Sequence, residues 1–164
     1  MAKIINIEWE GPLTPEEACK KKGSIDYGVY QYYGDHHVYG LNVLRYIGSA
    51  SDQTFGRRLS QYKFEEWDQN IQIYLGRIEK EKKGPLLGGK AWGDMIVRVE
   101  KLLIYACAPA ENGREVANKP PDANKHKELL ILNWGKYGSL LPEVSGYRFT
   151  NWLWDRRSYE PMGQ

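Results

Sequence analysis

The stretch YGVYQYYGDHHVYGLNVLRYIGSA, residues 27 to 50, sets two runs rich in Tyr, Val, Leu and Ile on either side of a Gly, Asp, His and Asn loop. Aromatic and β-branched residues suit a pleated, half-buried surface, and the loop residues suit a turn. Residues 27 to 33 and 43 to 47 therefore read as an antiparallel hairpin. Along the first strand Gly28, Tyr30 and Tyr32 face one side, while Tyr27, Val29, Gln31 and Tyr33 face the other. Tyr46 closes the second strand, where Gly48 lets the backbone turn out and leaves room beside the ring. A buried hydroxyl costs free energy unless it is hydrogen-bonded, so this many phenols in one hairpin need a reason beyond folding.

The pattern changes on both sides of the hairpin. Upstream, after a short apolar start, TPEEACKKK has Thr14 to cap a helix, Pro15 for its first turn, Glu16 and Glu17 at the positive end and lysines at the negative end. Downstream, Phe55, Leu59 and Tyr62 recur at helical steps and predict an amphipathic helix over 55 to 67, with Arg57, Arg58 and Lys63 near its apolar stripe. NIQIYLGRI, residues 70 to 78, returns to strand-like alternation. EKEKKGPLLGGK is a charged surface connection. Ile96, Val99, Leu103 and Ala106 mark another helix, closed by Pro109. A last helix is expected from about 125 to 134, before an aromatic tail containing Trp152 and Trp154.

No internal repeat interrupts this order. It fits an α/β (α+β) fold with a small, mostly antiparallel three-stranded sheet flanked by helices. With 164 residues, one domain is the expectation, its core at 25–112 and a C-terminal extension at 113–164 packed on that core. The chain is 41% hydrophobic and 27% charged, which excludes the disordered and membrane-embedded classes. MAKIINIEWEG lacks the basic and apolar blocks of a secretory leader, so a cytoplasmic location is expected. Cys19 and Cys107 have no metal-ligand spacing and read as reduced thiols. A net charge of +2 is too weak to argue for nucleic acid, so any phosphate-binding surface must be a local patch.

Four groups invite a chemical reading. Tyr30 and Tyr46, each taken alone, read as cross-strand packing. Arg58 lies one turn before Tyr62 on the same helix side, and a surface arginine is often only solvated. Glu100 is less ordinary: it is four residues after Ile96 and three before Leu103, on the face that should meet the core. Such a carboxylate is neutral, paired with Arg58 or Lys101, or held at a cleft floor to ligate a cation. His36 and His37 read as a solvated turn.

Taken together, GVY at 28 to 30, YIG at 46 to 48, GSA followed by a helix with RRLSQY, and VEKLLIYACAPAEN at 99 to 112 resemble the GIY-YIG nucleases. The resemblance covers about half the chain. It implies a metal-dependent endonuclease acting on DNA, with Tyr30 and Tyr46 as motif tyrosines, Arg58 (with Arg57 as its rival) as catalytic arginine, Glu100 as the acid holding Mg²⁺ or Mn²⁺, and Asn112 closing the site. Tyr62 falls where such nucleases carry histidine or tyrosine. Tyr30 would act as general base or proton relay. Ser49 departs from the basic residue that often follows YIG. Arg57, Arg77, Lys80, Lys82, Lys83 and Lys90 are candidates to track a phosphate backbone. No membrane and no small-molecule cofactor is expected, and the sequence leaves the oligomeric state open. The rival readings are a non-catalytic nucleic-acid-binding module that keeps the fold and a protein-interaction domain built on the Trp-rich tail.

Overall fold

A computed structural model describes residues 2–62, 70–79, 89–113 and 121–150. The apolar start is a strand, β1 (Lys3–Leu13), which buries Ile5, Ile7 and Trp9 at alternate positions. Helix α1 (Pro15–Cys19) follows, closed by the reciprocal bonds of a Thr14/Glu17 capping box. The hairpin is present as β2 (Gly28–His36) and β3 (Gly40–Ala50). After α2 (Phe55–Leu59) come β4 (Gln72–Ile78) and α3 (Lys90–Cys107). The chain continues through α4 (Ala123–His126), β5 (Leu129–Gly135), β6 (Glu143–Ser145) and α5 (Gly146–Phe149).

The expected three-stranded sheet flanked by helices is incorrect. A single mixed sheet of six strands, in the order β3-β2-β4-β1-β5-β6, curls toward a half-barrel, with few helices. The hairpin and β4 make up only half of it. In a three-stranded sheet the far side of β4 would be an open edge, a template for unwanted pairing. β1 takes that edge as an antiparallel partner, and β5 then adds in parallel to β1. The helix expected over 125 to 134 is also incorrect. Helix α4 ends at His126, and Leu129, Ile131 and Asn133 alternate into the core as β5. A run such as LLILNW satisfies helical and strand periods equally, and pairing with β1 decides between them.

One apolar cluster joins α3 to Val29 and Ile47 of the hairpin, to β1, and to Leu129, Ile131 and Val144. The region beyond 113 thus shares a core with the first strand of the chain. The second cluster occupies the other hairpin face, where Phe55 and Leu59 of α2 cover Tyr30, Tyr32, Ile73 and Leu75. Strand β2, paired on both sides and covered on both faces, is buried from Gly28 through Gly34.

Among the described residues β3 has no strand beyond it, yet its edge from Leu44 to Ile47 is not open. Helix α3 stops at Cys107, Ala108 takes the left-handed conformation (φ 47°), and the chain runs back along β3. The Ala110 and Glu111 N–H groups donate to the Leu44 and Arg45 carbonyls at 3.1 and 2.7 Å. Asn112 completes the seal with its side chain: Ile47 N–H donates to Oδ1 at 2.9 Å, and Nδ2 donates to the Ile47 carbonyl at 3.1 Å. Among the described residues no helix is long and apolar enough to cross a membrane.

Removing the Asn112 amide leaves a buried N–H and a buried C=O of Ile47 unpaired. Asn112→Ala is expected to destabilise the fold by about 2–4 kcal/mol, from two orphaned groups at ~1–2 kcal/mol each. Urea denaturation measures this, and an unchanged midpoint would show that the seal carries no stability.

Candidate active site

Tyr30 pairs directly across the hairpin with Gly48. A Cβ at position 48 would lie 2.5 Å from the Tyr30 Cζ and hydroxyl and 2.7 Å from Tyr46 Cε1, so the missing side chain is the space the Tyr30 ring fills. The glycine that matters for Tyr30 is therefore the one opposite it. Gly28 serves the other neighbour: its φ of 150° and the closeness of the Gly76 carbonyl both exclude a larger residue. Tyr46 lies beside Tyr30, ring centroids 6.2 Å apart, and stacks on Tyr32 at 5.5 Å with 22° between the planes.

The hairpin register slips between Tyr32 and Tyr33, leaving Arg45 as the extra residue of a bulge. The Arg45 guanidinium lies 5.8 Å from the Tyr32 ring centroid and donates from Nε and Nη2 to Glu111 Oε1 at 2.6 and 2.5 Å. Tyr32 donates its hydroxyl to Glu111 Oε2 at 2.5 Å. These contacts fasten the ring on which Tyr46 stacks to the segment that seals β3.

Helix α2 is seated by backbone contacts on the loop after α1. Phe55 N–H donates to the Asp26 carbonyl at 2.8 Å and Gly56 N–H to the Lys21 carbonyl at 2.7 Å. Asp26 is held in turn by Arg77, whose Nη2 and Nε donate to Oδ1 at 2.7 and 3.2 Å. Arg77 also pairs with Glu10 at 2.8 Å. Arg77 thus supports the helix from within an ion-pair cluster and does not stand on an open phosphate-binding face. From α2, Arg58 places its guanidinium 5.7 Å from the Tyr62 ring centroid, and its buried Nε has no hydrogen-bond partner among the described residues. Arg57, its neighbour, is exposed, whereas Arg58 is half-buried against the phenols. The Tyr62 ring stands edge-on to Tyr30, both centroids 6.2 Å apart, and the two hydroxyls share a hydrogen bond of 2.8 Å.

Glu100 reaches the same region from α3, at the edge strand. Ser49 Oγ donates to Glu100 Oε2 at 2.8 Å. The carboxylate is close enough for its charge to act on Tyr46. Burial raises the Tyr46 pKa above its ordinary value of 10.0, Tyr62 and the Glu100 charge raise it further, and Arg58 opposes them. Burial also raises the Tyr30 phenol, Tyr62 and Tyr46 add to the rise, and contact with Arg58 works against it.

The structure brings Tyr30, Tyr46, Tyr62 and Arg58 into one cluster and leaves Glu100, bonded to Ser49 at the edge strand, near enough for its charge to act on Tyr46. Asn112 is buried against Ile47 and acts through the fold of the edge, not through an exposed amide. Lys90 is exposed at the first position of α3, about 15 Å along the helix from Glu100. Lys80, Lys82 and Lys83 lie outside the described residues, as do Lys63, Trp152 and Trp154. His36 closes its turn by accepting the Val38 and Tyr39 N–H groups on Nδ1 at 3.1 and 3.3 Å. Sequence reasoning missed Arg45, Glu111 and the support given by Ser49. Glu111 and Ser49 sit directly beside singled-out residues, whereas nothing in the sequence announces the bulge at Arg45.

Among the described residues, no three or more His, Cys, Asp and Glu side chains gather as a metal site. A single carboxylate braced by a neutral hydroxyl still suits a hard cation that keeps most of its water ligands, as Mg²⁺ does. No family profile, curated protein or solved structure matches the chain.

Burial raises the phenols of Tyr30, Tyr32, Tyr33 and Tyr46 above the ordinary 10.0. The unfolded chain releases these protons first, so their contribution to stability is complete below pH 10 and is lost as pH rises through the folded-state values. Ultraviolet difference titration is expected to show a tyrosine fraction that ionises only together with unfolding. Reversible ionisation of every tyrosine near pH 10 in the folded protein would contradict this packing.

Proposed function

We propose that the chain is a divalent-metal-dependent endonuclease that hydrolyses phosphodiester bonds in DNA. The observation that carries this reading is the meeting of three phenols with Arg58, whose buried Nε lacks a partner among the described residues, beside a carboxylate whose charge reaches Tyr46. The resemblance to GIY-YIG nucleases, noted from the order of the motifs, points to the same residues.

Hydrolysis requires a deprotonated water in line with the scissile bond, neutralisation of charge on the phosphoryl oxygens, and help for the leaving 3′ oxygen. Arg58 would bind a non-bridging oxygen through its planar donors, its unpaired Nε among them. Tyr30 is wholly buried and its phenol is held neutral by that burial, so it does not meet the attacking water as a resting phenolate. The half-buried Tyr62 is the phenol placed to face water, and its bond to Tyr30 gives the proton a path into the cluster. Tyr30 is then a relay and not the primary base. Tyr46 orients water or phosphate by hydrogen bonding. Glu100 would hold Mg²⁺ or Mn²⁺, which when bound supplies positive charge at the departing oxygen.

The burial of Tyr30 favours a second reading, a nucleic-acid-binding module that keeps the cluster without cutting. Nicking of supercoiled plasmid in Mg²⁺ or Mn²⁺ separates the two. Cleavage is expected from the wild type, with Arg58→Ala and Glu100→Ala each slower by about 100-fold or more while circular dichroism shows them folded. DNA that is bound but never cut supports the binding module. No binding and no cleavage on plasmid, branched or single-stranded DNA would overturn both.

A further inference from the structure

We infer that Ser49 is a positioning residue that aims the Glu100 carboxylate, and that the neutral hydroxyl there sets the affinity of this site for a divalent cation. The inference rests on the metal-dependent reading above and assigns a role to a residue which that reading leaves without one.

Ser49 follows Gly48 on β3 and pairs with Val29, so its side chain leaves the sheet on the face that α3 covers. Glu100 is held on the long helix α3, and both residues are half-buried. The Ser49 Oγ to Glu100 Oε2 bond of 2.8 Å joins the edge strand carrying Tyr46 to the helix carrying the acid. A glutamate on a helix has three χ angles to settle before its oxygens are placed. A hydroxyl bonded to one oxygen fixes that choice and keeps the other oxygen's orientation defined. Hydrogen bonds that orient metal-ligating carboxylates commonly govern affinity by 10–100-fold.

The chemical type at position 49 also matters. A serine donor orients the carboxylate without adding charge. An alanine in the same place would remove that donor, and a threonine would keep it.

The test uses Mn²⁺ alone, with binding read directly by water-proton relaxation on the full chain, so that no catalytic readout is needed. Wild type is expected to bind, Ser49→Ala to bind about 10-fold more weakly, and Ser49→Thr to stay close to wild type because it keeps the hydroxyl. Thermal melts of each variant establish that it is folded. Equal Mn²⁺ affinity in wild type and Ser49→Ala would overturn the inference while leaving the metal site standing. Absence of Mn²⁺ binding by the wild type would overturn the metal-dependent reading and this inference with it. Weaker binding in Ser49→Thr, equal to that of Ser49→Ala, would show that the hydroxyl is not the operative group.

Discussion

The contact on which the rest of this structure depends is the placing of the Tyr30 ring over the bare backbone of Gly48. It takes place across an ordinary antiparallel pair, where directly opposed residues stand about 5 Å apart and a second side chain would collide with the ring. Because Tyr30 fills the space at Gly48, Tyr46 is forced to its side, and Tyr62 closes on both from the segment after α2. The two triplets GVY and YIG are thus not independent signals. The tyrosine of one requires the glycine of the other, and the hydroxyls they gather are paired with each other and with Arg58 instead of being left bare in the core.

Around that contact the fold supplies three separate braces. Asn112 and the residues before it pair with the β3 edge from Leu44 to Ile47, the part that carries Tyr46. Arg45, Glu111 and Tyr32 fasten the ring beneath Tyr46. Arg77, Asp26 and Glu10 hold the loop on which α2 is seated and so decide where Arg58 points. Asp26 is nearly buried, and an ion pair of this kind is valuable chiefly because losing one partner would strand the other's charge. Each brace is a polar network, whereas the bulk of the burial comes from α3 and the strands it covers. Apolar burial makes the sheet; the polar braces set the positions of a few side chains upon it.

Local signals in the sequence carried the hairpin, β4, α3 and the start of α2, because each has a clear period or a cap, but the helix expected over 55 to 67 stops at Leu59, with Ser60 as its C-cap. The rest depended on contacts distant in sequence. Lys3–Leu13 alternates well enough for a strand, but its meaning lies in β4 and β5, and pairing between residue 5 and residue 131 leaves no local trace. The LLILNW run is ambiguous by period and is settled only by that pairing. At the site, Glu100 could be singled out because a carboxylate is unusual on a core-facing stripe, whereas Tyr30, Tyr46 and Arg58 are ordinary residues for their places and stood out only through the order of the motifs. Arg77 misled, since an arginine on a strand near a basic loop looks solvated until Asp26 and Glu10 are seen beside it. The resemblance offered Tyr30 as general base or proton relay, and its complete burial is a feature that no local pattern in the sequence announces.

The proposed function requires that residues from a hairpin, a short helix and a long helix together bind a cation and a phosphate. Anomalous diffraction from crystals soaked in Mn²⁺ tests it most directly. The account predicts a single strong peak at coordination distance from the Glu100 carboxylate, on the side facing Tyr46 and Arg58. A peak bound elsewhere, or none at Glu100 with its carboxylate turned away from the phenols, would contradict it.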